Sequence, residues 1–486
     1  MKTNSALKKY RDLPRQAKAA LWFTICTFLQ KGISEITTPI FTRILTTAEY
    51  GQYNVFNTWL NFVTVIVVMK LYAGLYTQGL VKYEHDRDAY VSSMQGLSLT
   101  LCATWTVIYW CGHLFWNKLL SLTTVQMLAM MLMIWSTSCF NLWATEQRVK
   151  LKYKELLIVT ILVSTAKPVV GIIFVLNADD RVTARILGLA LVELIGYTIF
   201  FFISLKRGKK FFSKFYWKTT IALCIPLIPH YLCQTALNSA DRIMIKNMVG
   251  DSEAGIYSLA YSVSQIMALL NTALVQTVTP WIGQKIKSEE GEKVPSLVYG
   301  VLILVALANI GIMAFTPELI KIFGPESYHD AIWVMPPVTM SVFFSFAYST
   351  FAAYEFYFEE TKLMSVATMA GAVLNIVLNY IFIKIWGYYA AGYTTLLCFV
   401  FYAVFHFLLM QKIIKEKMSD KDLFDVKQLM KIALIFVFVG FVYLASYTNI
   451  WARYSLTIVI AVLLFRYRTV VVGRVKEILN VRKKKE

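Results

Sequence analysis

The chain has 486 residues, 57% of them hydrophobic and only 16% charged, with a formal net charge of +19 and a mean hydropathy of +0.56. A composition this apolar excludes a soluble globular enzyme and defines a polytopic integral membrane protein. The positive charge alone would suit a nucleic-acid binder, but its distribution along the chain follows membrane topology, so no nucleic-acid partner is expected.

Met1 to Lys18 is polar and basic, and no small-residue cleavage pattern follows it, so the first helix is expected to act as its own insertion signal. Hydropathy predicts an all-α protein of about fourteen transmembrane helices: 19–44, 53–80, 90–112, 119–145, 155–177, 184–205, 219–247, 255–283, 295–317, 331–357, 361–384, 388–411, 429–447 and 453–471. Each is near the ~20 residues that cross a bilayer.

Span one is not uniformly apolar. Thr24, Thr27, Lys31, Ser34, Glu35, Thr38 and Thr42 step by three or four and share one helix face. Lys31 and Glu35 sit near mid-depth, where a charge faces protein or water rather than lipid. The stretch Thr46 to Tyr53 then turns the chain into span two. In span five, Lys167-Pro168 with Gly171 offers a bend; in span seven, Pro226 and Pro229 interrupt the hydrogen-bond ladder and predict another. The loops are short, the longest external one running near Pro317 to Asp330, and none can fold into an extramembrane domain.

With the N-terminus inside, 36 Lys and Arg fall on the inner segments and their edges. Six (Lys118, Arg181, Arg185, Lys321, Lys384, Arg453) fall outside, and six lie within spans or at their ends. That bias obeys the positive-inside rule and places both termini in the cytoplasm. The tail Arg482-Lys483-Lys484-Lys485 is expected to face anionic lipid. The seven cysteines (26, 102, 111, 139, 224, 233, 398) fall in apolar spans without a C-x-x-C, and the five histidines show no ligand spacing. No disulfide, metal or other cofactor is expected, and no Walker loop or nucleophile elbow occurs.

The phrase Ala48-Glu49-Tyr50-Gly51-Gln52-Tyr53 returns 204 residues later as Ser252-Glu253-Ala254-Gly255-Ile256-Tyr257, and the same offset carries Gly188 onto Gly392. Spans one to six therefore repeat as seven to twelve, and thirteen and fourteen are appended. The predicted organisation is an N-terminal lobe over 1–205, a basic linker over 206–218, a C-terminal lobe over 219–412, and two extra helices with a basic tail over 413–486. Both halves begin inside, so the lobes are related by a pseudo-twofold axis along the membrane normal; such bundles bind substrate between lobes and work by alternating access.

Phe41-Thr42-Arg43-Ile44-Leu45 followed by Thr46 to Tyr53, together with Asn238-Ser239-Ala240-Asp241-Arg242-Ile243-Met244-Ile245, resembles the polysaccharide-transporter branch of the multidrug/oligosaccharidyl-lipid/polysaccharide (MOP) flippase superfamily. The resemblance covers the chain to about Lys412. It implies export of a lipid-linked oligosaccharide, usually a repeat unit on undecaprenyl pyrophosphate, across a bacterial cytoplasmic (inner) membrane, for O-antigen, capsule or exopolysaccharide. It also implies membrane lipids, a polysaccharide polymerase and chain-length proteins as partners, and no enzymatic activity.

Moving a pyrophosphate through the bilayer calls for a wet, cationic cavity. Lys31, Lys70 and Lys167 are the candidates, all in the N-terminal half; their repeat equivalents are Thr235, Leu274 and Gly371, so the charge is no requirement of the repeat. The competing reading is snorkelling, above all for Lys70, or neutralisation by Glu35 or Glu193. Those two carboxylates are in turn candidates for coupling to H+ or Na+. Arg43, Asp241, Arg242 and Lys246 are candidates for an outer gate, against interfacial anchoring with a local Asp241 pair. Tyr257, Tyr261 and Tyr348 can stack on sugars, but nothing in the sequence selects them. A multidrug cation antiporter shares this fold but would favour acids in its cavity. A membrane polymerase would carry a large external loop.

Overall fold

The computed structural model describes residues 15–418 and 423–466, so the basic tail and the last residues of span fourteen lie outside the described residues. Among the described residues every regular element is helical. Packing divides the chain into two compact units, one up to Thr235 and one from Ala236 onwards.

Unit 1 begins with α1 (Arg15–Ile44) and α2 (Thr47–Val68). A capping box starts α2: Thr46 Oγ1 accepts from the Glu49 N–H at 3.2 Å, and Glu49 Oε2 accepts from the Thr46 N–H at 2.7 Å. Much of the expected loop Thr46 to Tyr53 is therefore already helix. The predicted continuous span 53–80 is corrected to two helices, α2 and α3 (Gly74–Lys82). Met69 and Lys70 both adopt left-handed φ, 49° and 45°, and two such residues in a row end a right-handed helix. Then come α4 (Arg87–Cys111), the short α5 (His113–Leu120), α6 (Thr124–Val149), α7 (Tyr153–Leu176), α8 (Arg181–Gly208) and α9 (Lys214–Cys224). Pro168 sits inside α7, which stays helical throughout.

The interruption predicted in span seven is present. A 3-10 turn, Ile225–Leu227, separates α9 from α10 (Ile228–Met248). The unit boundary falls inside α10, because Tyr216 and Cys224 pack with Tyr76, Tyr90 and Met94 in a unit 1 core, joined by Trp217 and Ile228.

Unit 2 continues with α11 (Asp251–Lys287), α12 (Val294–Ala314), the short α13 (Thr316–Phe323), α14 (Ala331–Tyr357), α15 (Thr361–Trp386) and α16 (Tyr389–Lys417), then α17 (Val426–Ser446) and α18 (Ile450–Arg466). One core joins α11, α12, α14, α16 and α17 through buried residues such as Ile282, Val301, Phe343, Tyr402 and Phe436. The repeat is visible in the local structure. The first corner ends α1 at Ile44 and starts α2 at Thr47; its counterpart ends α10 at Met248 and starts α11 at Asp251, each 204 residues on. The short helices α5 and α13, which hydropathy did not separate, also correspond.

Ten of the described spans, from α6 onward, are long and apolar enough to cross a membrane, and α18 is a shorter apolar helix. The polar faces of α1, α2 and α4 set those three apart. They nonetheless expose large apolar side chains such as Ile36, Ile66 and Val107, as a lipid-facing surface requires.

Candidate functional site

In unit 1, α6, α7 and α8 bring three polar side chains to one point. Lys167 Nζ lies 2.6 Å from Glu193 Oε1, and the Glu193 side chain is only 7% exposed. Thr137 donates to the other Glu193 oxygen at 3.0 Å. One turn beyond Glu193, Tyr197 holds its ring 5.4 Å from Lys167 Nζ and stacks on Phe140 at 4.3 Å. These groups border a cavity of about 170 Å³ that also reaches Thr27 and Gln30 of α1 and Arg148 of α6. Glu193 offsets Lys167, and no ion pair joins Arg148 to an acid among the described residues. The cavity therefore carries a net positive charge.

The other expected cations are placed elsewhere. Lys31 is exposed and makes no ion pair with Glu35, whose Oε2 is buried without a hydrogen-bond partner among the described residues. The helical spacing put the two on one face but did not close the pair. Lys70 sits at the α2–α3 break, its Nζ 5.0 Å from the Tyr231 ring, and does not line the Lys167 cavity.

The expected outer-gate group disperses. Arg43 is exposed and donates to its own helix, to the Pro39 carbonyl at 2.7 Å. Lys246 lies 3.9 Å from Asp251, and the Arg242 guanidinium stacks on the Tyr261 ring at 4.5 Å. Asp241 is corrected from a rim residue to an interior one. It is 1% exposed and accepts from Tyr257 at 2.6 Å, Asn379 at 2.6 Å and Thr395 at 3.0 Å. Asn379 in turn donates to Asn375 Oδ1 at 3.2 Å and accepts from Thr394. No Lys, Arg or His makes an ion pair with Asp241 among the described residues. The network thus surrounds one buried carboxylate with one amide N–H and two hydroxyl donors, which satisfy its oxygens without a counter-charge.

Three further clusters were not singled out from sequence. Arg185 is buried, with its guanidinium carbon 3.7 Å from the Phe41 ring and 3.4 Å from the Tyr53 ring. Phe41 and Tyr53 belong to the motif that carries the family resemblance, so part of that motif holds the first helical corner together. At the other end of unit 1, Glu146, fully buried, receives Lys150 and Arg207 at 2.6 Å each, and Arg207 also reaches Asp88 at 2.8 Å. In unit 2, His406 Nδ1 meets Glu355 Oε1 at 2.6 Å in a fully buried pair. Each draws on helices distant in sequence, so spacing carried no signal. Among the described residues no cluster of His, Cys, Asp and Glu could hold a metal ion.

This architecture, long apolar helices in two units with buried polar networks, is that of a multi-pass membrane transporter fold. Its similarity to solved structures supports that class. It aligns with the lipid II flippase MurJ in an inward closed conformation over 93% of this chain and 100% of that one, with a TM-score of 0.67 at 14% identity. It aligns with an inward-facing multidrug resistance MATE family transporter of the MOP superfamily over 83% of this chain and 100% of that one, with a TM-score of 0.63 at 13% identity. At those identities the likeness is one of fold. Residues 17–286 match the family described as polysaccharide biosynthesis protein, and residues 226–381 match MatE. The chain belongs to the polysaccharide biosynthesis protein family. A curated relative, the probable low-salt glycan biosynthesis flippase Agl15 of Haloferax volcanii, is 29% identical over 175 residues, which is 34% of this chain and 36% of that protein. The match thus spans about a third of the relative's length.

Proposed function

We propose that this protein is a flippase for a lipid-linked oligosaccharide, a repeat unit on undecaprenyl pyrophosphate. It moves this substrate from the cytoplasmic to the outer leaflet of a bacterial cytoplasmic membrane by alternating access. The observation that carries the reading is the cavity in unit 1, where Lys167 and Arg148 stand with Glu193 as the one acid. A net cationic site among membrane helices suits a pyrophosphate and repels a drug cation. The family membership supports it. The lysine and arginine bias supports a cytoplasmic position for both termini, and a polysaccharide polymerase is the partner expected on the product side.

Coupling to H+ or Na+ fits Asp241 better than Glu193. Glu193 already has a lysine counter-charge, whereas Asp241 is buried with hydrogen bonds but no cation. Glu35, with its unpartnered oxygen, is the corresponding candidate in unit 1.

The test is removal of the protein from cells, followed by measurement of surface polysaccharide and of lipid-linked intermediates. Loss of surface polysaccharide with accumulation of the intermediate inside is expected. Intact polysaccharide with raised drug sensitivity would replace this reading with a multidrug antiporter.

A further inference from the structure

Unit 2 contains a cavity of about 320 Å³ whose 14 lining residues include no charged side chain. Two helix faces build most of it. On α11, Tyr261, Gln265, Ala268 and Thr272 step by three or four; on α14, Ser341, Ser345 and Ser349 step by four. Phe346 and Phe399 add ring surface.

The polar groups are arranged to take a ligand. Asn271, 7% exposed, is fixed by its Nδ2, which donates to the Val342 carbonyl at 2.7 Å. Its Oδ1 is buried and has no hydrogen-bond partner among the described residues. An unpaired buried acceptor costs about 1–3 kcal/mol, which a donor reaching this oxygen would recover. The hydroxyls of Thr272 and Ser349 each donate back to their own helix at 2.8 Å, which leaves their lone pairs free to accept. Gln265 makes no protein hydrogen bond among the described residues, so its amide can both donate and accept.

The chemistry excludes other occupants. A phosphate would need cations, a drug cation an acid, and a prenyl chain an apolar wall. Amides and hydroxyls beside aromatic rings match an uncharged sugar, which offers hydroxyls around an apolar ring face. We infer that this cavity is a subsite for an uncharged sugar residue of the transported glycan. The inference rests on the flippase reading. Of the three sugar-stacking candidates it takes Tyr261, which lines the cavity where Tyr257 and Tyr348 do not, with the Arg242 guanidinium on its ring 4.5 Å away.

The test uses Gln265→Cys and Ser345→Cys, each in a chain with its native cysteines replaced, in nanodiscs with N-ethylmaleimide as the label. The probes are oligosaccharide-bearing undecaprenyl pyrophosphate, extracted from cells lacking this protein, and sugar-free undecaprenyl pyrophosphate. The glycan-bearing lipid should slow labelling about tenfold at tenfold its Kd, and the sugar-free lipid should not. Slowing by both assigns the cavity to lipid or pyrophosphate and overturns the inference. Slowing by neither, while the wild type moves the glycan lipid in vesicles, overturns the subsite and leaves the flippase standing. If the wild type moves no glycan lipid, both readings fall. Should the cysteine-replaced chain not fold, Gln265→Leu in the native chain serves instead. It should slow the glycan lipid and spare the sugar-free one, and equal slowing of both overturns the inference.

Discussion

Replacing Lys167 with Met separates a structural lysine from a working one. The lysine stands 2.6 Å from a carboxylate whose side chain is 7% exposed. Two unit charges 4 Å apart attract by about 4 kcal/mol at an effective dielectric of about 20. Removing one partner of a buried pair typically costs about 3–5 kcal/mol, because the other charge is stranded. Here Lys167 is itself 25% exposed, and Thr137 still donates to Glu193. Both place the expected loss for Lys167→Met at the low end, about 3 kcal/mol. Adding Glu193→Gln removes the stranded charge and keeps an acceptor for Thr137, so the double variant should recover most of that loss. If Lys167 is the cation that meets the pyrophosphate, as proposed, transport should not recover. The measurements are SDS-unfolding titrations of the purified variants and vesicle transport of the glycan lipid. A single variant that loses under about 0.5 kcal/mol would mean that water screens the pair, and the burial argument fails. A double variant that regains transport would reduce Lys167 to a counter-ion.

The remaining predictions concern coupling and packing. Asp241→Asn should accumulate normally but transport slowly and without response to collapse of the proton or sodium gradient; a gradient response equal to wild type would remove Asp241 from coupling. A Cβ at Gly208 would lie 2.0 Å from the Asp88 carbonyl oxygen and 2.4 Å from Ser92 Cβ, so Gly208→Ala should cost about 1–3 kcal/mol by overpacking α4 against α8. Unchanged unfolding of that variant would contradict so close a contact. Thr46→Ala should lose about 1 kcal/mol with the α2 cap and Thr46→Ser should restore it; equal stability of the two would show that the cap contributes nothing.

Hydropathy and the 204-residue repeat made the helical membrane class legible, because a bilayer imposes length and apolarity on each segment by itself. The α2–α3 break was not legible: Met69 and Lys70 carry no turn signature, and only their left-handed backbone ends the helix. The unit boundary inside α10 was equally hidden, since it depends on which core receives Tyr216 and Cys224.

For the site, the sequence by itself determined which residues are costly in a membrane. Lys31, Glu35, Lys167, Glu193 and Asp241 stand out because charge in an apolar span must be explained. Only the tertiary structure decided their partners. It joined Lys167 to Glu193 across two helices, left Lys31 and Glu35 unjoined, and turned Asp241 from the rim into a network with Tyr257, Asn379 and Thr395. Helical spacing reports only which residues share a face of their own helix. What that face meets is set by the packing of helices far apart in the chain.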